Sequence, residues 1–182
     1  MAERGGRKKR KMSFSTPEPR TLTAAVVTVS DSRSRGNGVD LSGPAVAEVL
    51  RKGGFQIVAE KIVPDEFSSI ESLLKELAGN VGLIATTGGT GVAPRDITPE
   101  ATRAVCGRII EGVAEQMRQA GSKQTRYAVL SRGICGIRDQ TLILNLPGNP
   151  RGAVHSLEAV LDLLPHILDL LIGNTQHSAE TG

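Results

Sequence analysis

The chain has 182 residues, 39% of them hydrophobic and 23% charged, enough for one domain with a true core but not for several. Its net charge of +3 is local: residues 1–20 hold seven basic side chains against two acidic ones, leaving fifteen against seventeen in the rest. A slightly acidic body, in a chain whose aromatic residues are Phe14, Phe55, Phe67 and Tyr127, excludes a general nucleic-acid surface or a base-stacking platform, and no specific nucleic-acid partner is expected.

Residues 1–20 read as a disordered basic arm, with a charge run followed by Ser, Thr and Pro, and no apolar periodicity. The basic start lacks the apolar stretch of a secretory signal, and no run reaches the roughly 18 apolar residues of a membrane span. Cys106 and Cys135 lie too far apart for a metal motif and read as small buried residues. A cytoplasmic protein is the expectation.

Leu22–Ser30 is a valine-rich apolar run, as expected of a strand buried on both faces. Gly43-Pro44 opens a helix carrying Val46, Val49 and Leu50, which Gly53-Gly54 closes. Gln56–Val63 is a second strand, followed by a helix with Ile70, Leu73, Leu74 and Leu77 in phase. Gly82–Thr87 is a third strand, ending on Gly88-Gly89-Thr90-Gly91. Thr98-Pro99-Glu100 predicts a helix start with threonine as cap. Ile110, Val113, Ala114 and Met117 predict another helix, ending near Gly121. Tyr127–Ser131 and Thr141–Leu146 read as strands, and Asn149-Pro150 begins one last helix carrying Val154, Leu157, Leu161, Leu164, Leu168 and Leu171. Residues 21–173 then form the folded domain and 174–182 a flexible tail. The alternation predicts an α/β fold: a mostly parallel sheet between helical layers, with ligands beyond the carboxyl ends of the strands.

Strand ends are therefore where chemistry is sought. The run from Thr87 through Gly88, Gly89, Thr90 and Gly91 to Arg95-Asp96 puts glycines where a backbone can approach an anion. It is neither a Walker loop nor the dinucleotide fingerprint, because no Gly-Lys-Ser/Thr follows and Pro94 stands where a glycine is required. Arg95 can pair with phosphate and Asp96 can hold Mg²⁺. Ser30-Asp31 ends the first strand, Asp40 and Ser42 follow shortly, and Asp65 ends the second strand. Each has a plain reading as a turn or cap residue. Together, Asp31, Asp40, Asp65 and Asp96 on one rim point to a cation with a phosphorylated ligand. Ser131 and the Pro147-Gly148-Asn149 turn complete the ring, with Asn149 before a helix N-terminus.

VVTVSDSRSRG, DLSGP, the VPDE turn, TTGGTGVAPRDITPEAT, Ser131-Arg132 and LNLPGNPRGAV occur in an order that closely resembles the molybdenum-cofactor biosynthesis family of MoaB, MogA and the gephyrin G domain. The resemblance covers about residues 22–172. It implies a three-layer α/β/α sandwich, assembled as a homotrimer or as a hexamer, and a molybdopterin adenylyltransferase with ATP and molybdopterin as substrates and Mg²⁺ as cofactor. It gives Asp65 and Asp96 the catalytic and metal-holding role. It gives Gly88, Gly89, Thr90 and Gly91 the phosphate cradle, with Asp40, Ser42 and Ser131 near the pocket. It also implies other molybdenum-cofactor biosynthesis proteins as partners. The alternative is a catalytically silent, molybdopterin-binding or scaffolding MoaB-like paralogue.

Overall fold

The computed structural model describes residues 21–174, so the expected arm over 1–20 and the expected tail beyond 174 lie outside the described residues. The elements run β1 (Leu22–Val29), α1 (Asp31–Ser34), α2 (Ser42–Lys52), β2 (Phe55–Val63), α3 (Phe67–Leu77), β3 (Leu83–Thr87), α4 (Thr98–Val105), β4 (Arg108–Ile109) and α5 (Glu111–Ser122). A 3-10 turn (Arg126–Leu130), β5 (Cys135–Arg138), β6 (Thr141–Leu146), α6 (Pro150–Glu158) and α7 (Leu163–Leu171) complete them. The strands form one sheet in the order β2-β1-β3-β6-β5-β4. β2, β1, β3 and β6 are parallel, whereas β5 runs antiparallel to β6 and β4 antiparallel to β5.

The pleat sends alternate residues of the central strands to opposite cores. Ala24, Val26, Leu83, Ala85, Leu142 and Leu144 face α2, α5, α6 and α7, against Val46, Leu50, Met117, Leu157 and Leu164. Ala25, Val27, Ile84 and Ile143 face α3 and α4, against Ile70, Leu74, Ala101 and Val105. Two apolar faces on one sheet need two helical layers, and the three-layer α/β/α sandwich follows. β3 and β6 are each buried along their whole length, which explains their unbroken apolar runs.

Four local expectations are corrected. Tyr127–Ser131 is not a strand: Thr125 accepts from the Tyr127 amide, and Ala128 and Ser131 amides close 3-10 turns. Its β-favouring residues Tyr127 and Val129 are exposed, each at 63%, so no sheet face demands them. The strand of this region is β5 further along the chain, where a Cβ on Gly136 would overlap the Cys106 side chain. The short β4 was not foreseen either. The single helix expected after Asn149 is two helices, because Pro165 has no N–H to give Leu161 and its ring would crowd that carbonyl. Thr98 does not cap α4; its hydroxyl donates to the Gly88 carbonyl at 2.9 Å, tying the helix start to the glycine turn.

Candidate functional site

β3 leads to α4 on one face of the sheet and β6 leads to α6 on the other, so their outgoing loops diverge and leave a crevice. A pocket of about 840 Å³ occupies it, within the range of small-molecule sites. Gly89, Thr90, Gly91, Asp96, Ser131, Pro147, Gly148 and Asn149 line this pocket. Its far wall, from α5, the 3-10 turn and α6, includes Met117, Arg118, Tyr127, Arg151 and His155, none of which was among the expected site residues.

The glycine turn is shaped by necessity. Gly88 has φ +102° and a Cβ there would overlap the Val29 carbonyl, while Gly89 has φ +62° and a Cβ would strike the Thr98 hydroxyl. Gly148 packs so closely that an added Cβ would lie 3.2 Å from Gly88 Cα. Thr87 is fully buried and donates its hydroxyl to the Pro147 carbonyl at 2.7 Å, joining the β3 and β6 loops.

Asp31 and Asp65 are locked reciprocally. The Asp31 amide donates to Asp65 Oδ2 at 2.8 Å, and the Asp65 amide donates to Asp31 Oδ1 at 3.1 Å. Arg95 pairs with Asp31 Oδ2 at 2.5 Å and donates to the Asp65 carbonyl at 3.2 Å, so its guanidinium braces this pair instead of standing free for phosphate. Burial pushes the Asp65 carboxyl above the usual carboxylate range; the Asp31 amide opposes the shift, the Asp31 and Asp96 carboxylates add to it, and Arg95 opposes it. Asp65 Oδ1 lies beside the turn, 3.2 Å from where a Gly89 Cβ would be, and Asp96 Oδ2 lies 2.8 Å from where a Gly91 Cβ would be. Asp96 Oδ2 also accepts from the Ala93 amide at 2.8 Å.

Of the four rim carboxylates Asp96 lines the pocket, and Asp31, Asp40 and Asp65 lie outside its lining. Asp40 is turned into the start of α2, where it accepts from the Ser42 and Gly43 amides at 3.1 Å each and from the Thr28 hydroxyl at 2.6 Å. Ser42 donates its hydroxyl to the same carboxylate. Ser30 caps α1, and neither it nor Asp40 lines the pocket. Asn149 Oδ1 is similarly occupied, accepting from the Arg151 and Gly152 amides at the start of α6. Ser131 follows the 3-10 turn instead of ending a strand, and its hydroxyl accepts from the Gly133 amide at 3.4 Å. No group of three or more His, Cys, Asp or Glu side chains among the described residues is placed to hold a metal ion. Asp65 and Asp96 nevertheless fit a Mg²⁺ of the kind completed by substrate phosphates and water, which takes only one or two protein carboxylates.

The sequence reading missed the part played by Arg132. Its backbone amide donates to the Thr90 carbonyl at 2.9 Å and its Nε to the Gly91 carbonyl at 2.6 Å. Its two terminal nitrogens reach the Asp96 carbonyl and the Glu100 carboxylate. The Ser-Arg pair was visible, but contacts across 32 to 42 residues leave no local trace.

Residues 25–166 match the family model described as a probable molybdopterin binding domain. The molybdopterin adenylyltransferase of Helicobacter pylori J99 is 42% identical over 158 residues, covering 85% of this chain and 90% of the relative. The enzyme of the same name from Escherichia coli K12 is 43% identical over 147 residues, covering 78% and 75%. The structure of the molybdopterin biosynthesis enzyme MoaB from Thermus thermophilus superposes with a TM-score of 0.79 at 48% identity, covering 84% of this chain and 98% of that one. A MogA structure superposes with a TM-score of 0.77 at 39% identity, covering 82% and 99%. The chain belongs to the MoaB/MogA family of molybdenum-cofactor biosynthesis proteins.

Proposed function

We propose that the protein is a molybdopterin adenylyltransferase, moving AMP from Mg-ATP to the terminal phosphate of molybdopterin. The observation that carries this reading is the 42% identity to an enzyme of that name, over nearly the whole length of both chains. In the reaction an oxygen of the molybdopterin phosphate bonds to the α-phosphorus of ATP. The bond from that phosphorus to the bridging oxygen breaks, and pyrophosphate leaves with the electron pair. The nucleophile is already an anion, so the protein has only to bind, orient and neutralise. The chain's thiols fit this economy: burial pushes Cys106 to about 11 and Cys135 to about 12, leaving both neutral and unreactive at pH 7.

Gly88 shapes the turn while its own amide donates to the Leu146 carbonyl, and the Gly89–Gly91 stretch offers backbone to phosphate with the Pro147–Asn149 turn opposite. Asp65 and Asp96 would hold the magnesium ion, which supplies positive charge to the phosphate oxygens when bound. Ser131 reaches the same pocket from the linker before β5. Ser30, Asp31, Arg95, Asp40 and Ser42 support the carboxylate rim and α2 from outside the pocket.

The family resemblance also supports a homotrimer or a hexamer in the cytoplasm, working with other proteins of molybdenum-cofactor biosynthesis. No helix of the described residues is long and apolar enough to cross a membrane. Incubation with ATP, Mg²⁺ and molybdopterin is expected to yield adenylylated molybdopterin, read by its mass. ATP binding that ignores the pterin and yields no such product would mark a general nucleotide-binding protein instead.

A further inference from the structure

We propose that Arg132 is the positioning residue of this site, fixing the peptide planes of the glycine turn from behind; the inference rests on the adenylyltransferase reading and deepens it. Arg132 does not line the main pocket. It lies instead in a separate small depression with Pro99, Glu100, Arg103 and Ile134. From there its side chain binds the carbonyls of Gly91 and Asp96 and the carboxylate of Glu100, while its backbone amide binds the Thr90 carbonyl, drawing one loop and the first turn of α4 to a single residue.

The consequence follows from peptide geometry. In a trans peptide the C=O and the next N–H point in opposite directions, and no cis bond is present among the described residues. Holding the Thr90 and Gly91 carbonyls toward Arg132 therefore turns the Gly91 and Val92 N–H groups to the other side of the loop. Two consecutive N–H groups fixed on one side of the loop can serve one anion together, and donors already in place need no reorganisation during reaction. The third carbonyl, that of Asp96, sets the backbone from which the metal-holding carboxylate projects.

Arginine suits the task because its planar fork serves several fixed acceptors at once, whereas lysine brings one charge on a flexible stem. The salt bridge to Glu100 is partly exposed, at 37% for Arg132 and 48% for Glu100, so the effect lies in geometry more than in the energy of that pair.

The test follows backbone amide exchange and binding of Mg-ATP in the full-length protein. Arg132→Lys is expected to fold, to lose protection at the Asp96 and Thr98 amides while those of α2 and β3 keep theirs, and to bind Mg-ATP about tenfold more weakly. A general loss of stability would speed exchange throughout, so loss confined to the loop separates positioning from bulk support. Unchanged loop protection in a folded Arg132→Lys protein overturns the proposal, as does Mg-ATP affinity equal to that of the unaltered chain. Should that variant not fold, Arg132→Gln, which keeps amide donors on a shorter stem, decides: faster exchange confined to the loop supports the strut, and unaltered exchange removes it. Failure of the unaltered chain to bind Mg-ATP would overturn the adenylyltransferase reading, while the exchange pattern still decides what Arg132 does.

Discussion

Asp65 is the side chain in which opposing forces are easiest to separate. Burial and two neighbouring carboxylates favour its neutral form, while the Asp31 amide and Arg95 favour its charged one. The net shift is upward, so the fold gains most from this group below the ordinary carboxylate range and loses that gain as pH rises through the raised value. Asp65→Asn removes the titration. Its melting temperature relative to the unaltered chain should thus be higher at about pH 7 than at about pH 3. A difference independent of pH would show that the carboxyl is not shifted. In catalysis the same replacement, like Asp96→Asn, should keep the fold and lower Mg²⁺-dependent turnover on the order of a hundredfold. Full turnover in both variants would remove these residues from the reaction. Gly88 makes the complementary case for structure. At φ +102° with the Val29 carbonyl against it, Gly88→Ala should cost about 1–3 kcal/mol for strain alone, read by denaturant unfolding.

At the scale of elements, Asp40 shows how a motif residue can serve the fold while standing near a site. Its carboxylate closes the first turn of α2 and receives the Thr28 hydroxyl from β1. Asp40→Ala should cost about 0.5–2 kcal/mol of stability and leave Mg-ATP affinity close to that of the unaltered chain. A large loss of affinity without loss of stability would return Asp40 to the binding site. The sequence disclosed the apolar strands because β1, β3 and β6 are buried on both faces, and it disclosed the amphipathic helices because α2, α3 and α5 each present one stripe. It concealed β5, where Gly136 is required by the packing of Cys106, and it misrepresented the 3-10 turn, where Tyr127 and Val129 favour a strand that has no neighbour to pair with. In both cases tertiary context overrode local preference.

Across the whole molecule, the pocket's glycine side was legible because each of its turns follows a strand directly. The wall opposite was not: Met117, Arg118 and His155 reach it only once α5 and α6 pack on the same face of the sheet. The stripe from Val154 to Leu171 is also explained within the subunit, since Leu157, Leu164 and Leu168 are fully buried there. It therefore need not form an interface, and the trimer rests on the family resemblance. Light scattering at micromolar concentration should find a trimer or hexamer, and a stable monomer would refute it. Deleting residues 1–20 should leave assembly and turnover unchanged, because that segment lies outside the residues matched to the family.

The most direct measurement is release of pyrophosphate from ATP by the full-length protein, with Mg²⁺ and molybdopterin each supplied or withheld. Adenylyl transfer predicts release only when both are present, one pyrophosphate for each molybdopterin adenylylated. A folded protein that binds molybdopterin yet releases no pyrophosphate would contradict it, and would mark the chain as a silent member of its family.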